Sequence, residues 1–254
     1  MATLQQAQID QYHRDGYTVL EKALDAEEIA TLRARVEDIA GGNLPFPEAN
    51  IEFAPNAPRE LHIDNLRKIN DPANHDAFFI QHASKKNLLD AASALLGPDI
   101  KLFGDQLFVK GPGGMEKTYH QDSAYFHIEP MALATAWVAL DDVTLENGCL
   151  WVVPGSHLGG VKDHSEAWMV GEREDKKVPD CEIDREREQP ILLKAGDCSF
   201  HHSLILHRSG PNNTDGRRRG MATHYMSAHS RWTAEPADKP DYPLLRGRTY
   251  PDCV

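Results

Sequence analysis

Residues 100–109, IKLFGDQLFV, and 132–140, ALATAWVAL, are the stretches on which the fold turns. Both are rich in aliphatic, β-branched and aromatic residues and are bounded by Gly, Pro, Asn or Asp, the pattern of a short strand closed by turns. Runs of the same kind recur at 150–153, 191–193, 198–200 and 220–227. Short strands packed this closely after Pro98 predict a mainly β protein with flanking helices, built as a double-stranded β-helix, the jelly roll of cupin-like proteins.

Upstream of that run the character is helical. Residues 3–40 read as helix, short strand, helix, with Gly16 stopping the first helix and 17–20 extended. Asp25 is placed as an N-cap with Glu28 three positions on, and Ile29, Leu32, Val36 and Ile39 recur at helical spacing before Gly41 and Gly42. Residues 43–65 carry four prolines and no period, an irregular segment lying over the surface or a pocket. Residues 84–96 return to a helical pattern closed by Gly97 and Pro98. Within the strand region, 159–189 is densely charged and reads as an insertion or lid. The expected organisation is one domain over 1–254, with a helical part to about 98 and a jelly-roll core over about 99–230.

Bulk properties narrow the partners. The 254 residues hold 27 Lys+Arg against 39 Asp+Glu, a net charge of -12, which argues against nucleic acid or an anionic membrane and for a small-molecule substrate. Arg217, Arg218 and Arg219 form the one concentrated cationic run, so no cationic patch for an acyl-CoA is expected outside it. Four cysteines without paired spacing fit free thiols. The longest near-apolar stretch, 131–140, is too short to cross a bilayer, and the expected location is the cytoplasm. Nothing in the composition fixes an oligomeric state.

The chemistry is concentrated in two places. In His120-Gln121-Asp122 an imidazole and a carboxylate stand two residues apart, which on an extended chain sends both to one face. His207 lies far downstream, followed by Ser209-Gly210-Pro211-Asn212 and, eleven residues past the histidine, by Arg218. Two histidines and one carboxylate arranged facially leave three positions of an iron ion open.

With Trp137-Val138-Ala139-Leu140-Asp141-Asp142, Glu146-Asn147-Gly148-Cys149-Leu150 and Pro154-Gly155-Ser156-His157, these segments resemble the phytanoyl-CoA dioxygenase family of iron(II)/2-oxoglutarate oxygenases over about residues 5–230. The resemblance implies iron ligation by His120, Asp122 and His207, and a grip by Arg218 on the distal carboxylate of 2-oxoglutarate. It implies Lys68 as a further cosubstrate residue, with Gln106, Gln121 and Trp137 in the same pocket. Fe(II), 2-oxoglutarate and dioxygen are then the cofactors. The implied reaction is hydroxylation of a C–H bond in a metabolite or natural-product intermediate, with release of succinate and CO2. Asp122 argues against halogenation, since related halogenases carry a small residue there. A catalytically silent binding protein and a zinc hydrolase of cupin-like fold are the alternatives.

Other residues keep two readings. His201 and His202 are read as ordinary polar groups, His157 as a structural turn residue and His224 as a pocket wall. Strand alternation sends Arg218 to one face and Arg217 and Arg219 to the other. Trp168 and Arg173 belong to a solvated face or close over the substrate, and Tyr125, Phe126 and His127 face either substrate or core.

Overall fold

The computed structural model describes residues 2–55, 57–169 and 175–254. Its helices are α1 (Gln6–Asp15), α2 (Ala26–Ala40), α3 (Ala77–Ala83) and α4 (Lys86–Leu96). The first eight strands are β1 (Tyr17–Leu20), β2 (Ile51–Phe53), β3 (Leu66–Asn70), β4 (Ile100–Lys110), β5 (Lys117–His120), β6 (Ile128–Glu129), β7 (Ala134–Ala139) and β8 (Leu150–Val152). They are followed by β9 (Glu166–Met169), β10 (Asp175–Lys177), β11 (Gln189–Ile191), β12 (Cys198–His202), β13 (His207–Ser209), β14 (Arg218–Ser227), β15 (Arg231–Trp232) and β16 (Leu244–Arg246).

Two antiparallel sheets make the jelly roll. The larger runs β1-β12-β7-β14-β4-β3-β2, with β16 also on β4, and the smaller runs β11-β8-β13-β5. Every named pairing in both is antiparallel. The central strands β7 and β14 are buried along nearly their whole length, which is why their sequences read as continuous apolar runs.

Strand alternation divides the two faces of the larger sheet. Leu102, Leu107, Ala136, Val138, Phe200, Met221 and Tyr225 pack with Tyr12, Leu32, Val36 and Leu88 of the helices. Trp137, Ala139 and Ala222 point the other way and pack with Val152, Ile191 and Ile205 towards the smaller sheet. Functional side chains can therefore come only from the second set. Gly220 serves this face directly: a Cβ there would lie 1.9 Å from Cζ2 of Trp137, so only glycine lets the indole lie against β14.

The helix readings hold where caps specify them. Asp25 Oδ1 accepts from the Glu28 N–H at 2.9 Å, and Glu28 Oε2 accepts from the Asp25 N–H at 2.9 Å, a reciprocal capping box. The first helix starts at Gln6, later than the expected Thr3, because Gln5 supplies its capping box. Helix α3 was not expected; its Asp76 cap on Phe78 is short-range and its seven residues are too few to display a period. Residues 43–65 hold the short strand β2, and 159–189 holds the β9–β10 pair. Among the described residues, no helix is long and apolar enough to cross a membrane.

Candidate active site

Pairing of β5 with β13 places two histidines side by side. His120 and His207 are cross-strand partners, with ring centroids 4.2 Å apart. After His120 the chain turns, and Asp122 opens a 3-10 turn that brings its carboxylate back to them. Asp122 Oδ1 lies 3.8 Å from His120 Nε2 and 3.7 Å from His207 Nε2. The three donor atoms all fall within 4.8 Å of one another.

The imidazoles are held in the tautomer a metal needs. His120 Nδ1 is 2.9 Å from the Thr118 carbonyl, and His207 Nδ1 is 3.1 Å from the Ile205 carbonyl. A proton on each Nδ1 leaves each Nε2 lone pair facing Asp122. Burial lowers the pKa of both rings, keeping them neutral. Burial opposes ionisation of Asp122, but its tight coupling to the rings of His207, His201, His224 and His120, through a shared proton and the His201 hydrogen bond, holds the carboxyl well below its usual range. Two neutral imidazoles and one carboxylate on one side of a cavity fit an open facial site for a divalent ion.

The second oxygen of Asp122 has separate partners. His201 Nε2 is 3.7 Å from Oδ2, and the Thr135 hydroxyl donates to it at 3.4 Å. Thr135 Oγ1 is in turn 2.8 Å from His224 Nδ1. His201 is thus part of the site, contrary to its reading as an ordinary polar group. The signal was alternation: Cys198 and Phe200 face the helices, so His201 faces the cavity.

The wall of the larger sheet is basic. Arg218 is 4% exposed, donates from Nη2 to the Gly148 carbonyl at 3.0 Å, and has Cζ 5.2 Å from the Trp137 ring centre. Gly148 makes this possible through φ +88 and a Cα so close to residue 210 that a Cβ would stand 2.4 Å from the Gly210 carbonyl. The Arg218 Nε is buried without a hydrogen-bond partner among the described residues. Lys110 is the cross-strand partner of Arg218, and its Nζ donates to Ser209 Oγ at 2.9 Å and to the Gly210 carbonyl. Among the described residues no carboxylate forms an ion pair with either side chain. Burial pushes the guanidinium down to about 10, and burial with the charges of Arg218 and Arg67 pushes the Lys110 ammonium down to about 6. Two basic groups left this way define a site for an anion.

These walls enclose a cavity of about 430 Å³, lined by the three candidate ligands together with Lys68, Gln106, Trp137, Arg218, Thr135, His201 and His224. Lys68 is buried, with Nζ 3.2 Å from Glu52 Oε1. Gln106 Nε2 donates to Asn70 Oδ1 at 3.4 Å. Gln121 is the exception: its side chain points away from the cavity and bonds to Gly160, Leu204 and Lys162. The alternation that aligns His120 with Asp122 turns the residue between them to the opposite side. Arg217 and Arg219 turn away as expected, to Asp64 and to Asp141 and Glu37. His157 meets the His13 carbonyl at 3.2 Å.

Cationic side chains outside the arginine run do line the cavity beside Arg218: Arg67, Lys68, Lys110, Lys117 and Arg208, of which Arg67 and Lys68 pair with Glu52 and Arg208 pairs with Glu188. They are scattered over five segments and converge only when strands β3, β4, β5, β13 and β14 assemble. Lys110 was legible in principle, since it follows Gln106 and Phe108 at period two. Trp168 lines the cavity and Phe126 does too, while Arg173 and the side chain of Tyr125 lie outside the described residues.

Residues 12–220 match the phytanoyl-CoA dioxygenase (PhyH) family, and the chain belongs to that family. Human peroxisomal phytanoyl-CoA dioxygenase is 28% identical over 230 residues, covering 85% of this chain and 67% of that protein. EctD from S. alaskensis with bound Fe superposes with a TM-score of 0.76 at 24% identity, over 99% of this chain and 87% of that one. The epimerase SnoN, in complex with Fe3+, alpha ketoglutarate and nogalamycin RO, superposes with a TM-score of 0.73 at 24% identity, over 94% of this chain and 98% of that one. The chain is accordingly a 2-oxoglutarate-dependent non-haem iron dioxygenase, whose cofactors are Fe(II), 2-oxoglutarate and dioxygen.

Proposed function

We propose that His120, Asp122 and His207 hold the ferrous ion, that Arg218 with Lys110 and Ser209 receives the distal carboxylate of 2-oxoglutarate, and that the enzyme hydroxylates a C–H bond of a small-molecule metabolite or natural-product intermediate. The observation that carries this reading is the opposition of the two walls. A two-histidine, one-carboxylate donor set faces one cavity, and a buried arginine and lysine, with no carboxylate ion pair among the described residues, face the same cavity. A divalent cation and a dicarboxylate answer both at once.

Each side chain then has a task. His201 and Thr135 engage Asp122 Oδ2 and leave Oδ1 towards the imidazoles, favouring ligation through one oxygen. The Gly148 carbonyl fixes the Arg218 guanidinium and Trp137 covers its face, so the fork is set before the carboxylate arrives. Trp137, Leu150 and Ala222 keep that end of the cavity apolar, excluding water. The iron held by His120, Asp122 and His207 would supply C–H oxidation by dioxygen, with 2-oxoglutarate giving two of the four electrons and leaving as succinate and CO2. We read residues 99–230 as the bulk of the catalytic jelly roll, with β1, β2, β3 and β16 extending its larger sheet from outside that range and the helices as its cover, and 159–189 as a lid bringing Trp168 to the cavity.

Incubation with Fe(II), 2-oxoglutarate, dioxygen and a panel of metabolites tests the proposal. Succinate formation stimulated by a panel member, with a product heavier by one oxygen atom, is the expected result. Turnover supported by zinc and independent of 2-oxoglutarate would refute it.

A further inference from the structure

We infer that Gln121 is a positioning residue that couples the ligand-bearing segments to residues 160–164, so that metal binding and the placement of this stretch stabilise each other. This rests on the ligand assignment above. The side chain is completely buried, and its amide joins three separate segments. Nε2 donates to the Gly160 carbonyl at 2.9 Å and to the Leu204 carbonyl at 2.6 Å, while Oε1 accepts from the Lys162 N–H at 2.7 Å. The backbone N–H of Gln121 donates to His164 Nε2 at 2.9 Å. His164 Nδ1 is 2.9 Å from the Lys162 carbonyl, and one neutral tautomer satisfies both contacts.

The positions of these partners give the arrangement its meaning. Gln121 lies between His120 and Asp122, and Leu204 lies three residues before His207, in the turn from β12 to β13. Gly160, Lys162 and His164 lead into β9, where Trp168 lines the cavity with its ring 5.3 Å from Lys117 Nζ. One buried amide therefore touches the approach to every candidate ligand and the entry to 159–189. A shift of any partner leaves a buried donor or acceptor unpaired, where water cannot replace it. Free energy that metal gains from an ordered 160–164 segment is, by linkage, returned to that segment when metal binds.

Hydrogen exchange of the Lys162 amide in the whole chain, with and without Co(II), reads this coupling directly, because that amide donates to Gln121. Co(II) should slow its exchange roughly tenfold or more in the native sequence, the range of metal-affinity effects seen for groups that support ligands. Gln121→Ala should abolish the metal dependence and weaken Co(II) affinity by a similar factor. His164→Phe, which keeps the amide and removes one link, should lose part of both and serves if the first variant does not fold. Lys162 exchange unaffected by Co(II) in the native chain, or a metal dependence intact in Gln121→Ala or, where that variant does not fold, in His164→Phe, would overturn the inference. An Asp122→Ala arm separates the two proposals. Undiminished Co(II) affinity there refutes the ligand assignment, whereas lost affinity beside an intact metal dependence in Gln121→Ala refutes only the coupling.

Discussion

The two sheets contribute opposite chemistry to one cavity. The smaller sheet brings His120 and His207 from β5 and β13, neutral rings whose Nδ1 atoms are tied to the backbone. The larger sheet brings Lys110 and Arg218 from β4 and β14, basic groups bonded to neutral oxygens. Metal binding and cosubstrate binding are therefore physically separable here. They share a cavity, and among the strands only β13 serves both, through His207 and Ser209, so substitutions at Lys110 or Arg218 should leave metal affinity nearly untouched.

The largest effect belongs to the ligand wall. Asp122→Ala should abolish turnover and metal binding, measured as succinate release and as bound metal after desalting. Detectable succinate from this variant at native rates would break the division. On the opposite wall, Arg218→Ala should raise the KM for 2-oxoglutarate about 100-fold, since removing one partner of a buried charged contact costs about 3 kcal/mol. Metal affinity without cosubstrate should stay unchanged, and a parallel fall in both would show that the walls are not independent. Lys110→Met should raise the same KM about tenfold, in line with ~1.5 kcal/mol for a hydrogen bond to a charged group.

His201→Phe sharpens the comparison, because His201 stands on the larger sheet but touches a ligand of the smaller one. It should weaken metal affinity roughly tenfold, as loss of groups supporting a ligand does, while 2-oxoglutarate affinity of the metal-loaded protein holds. The smallest effect concerns folding. Burial lowers His82 and His202 from 6.5 to about 4, so the folded chain keeps them neutral where the unfolded chain takes up protons. Their contribution is fully present above pH 6.5 and is lost as pH falls from there towards 4. Urea midpoints should be level from pH 8 to 7 and fall below 6.5, and a midpoint rising on acidification would contradict the burial argument.

Much of this was legible in the chain, for local reasons. Asp25 and Glu28 specify a helix start within four residues, and the apolar runs of β7 and β14 specify strands because both faces are buried. Spacing also pointed to His120, Asp122, His207 and Arg218, which the fold brings to one cavity. What escaped depends on assembly. Lys110 and Lys117 join the cavity only when β4 and β5 meet β14 and β13, and no sequence window contains that event. Gln121 does not line the cavity, since an extended residue between two side chains that face the cavity points the other way. Helix α3 escaped because its seven residues, entered from an Asp76 cap, make too short a period to stand out.

Anaerobic titration of Fe(II) and then 2-oxoglutarate into the native chain and into His207→Ala decides whether the two walls act as assigned. The native chain should bind one Fe(II) and develop a visible metal-to-ligand charge-transfer band on addition of 2-oxoglutarate, both lost in the variant. The same stoichiometry and band in His207→Ala would contradict that assignment.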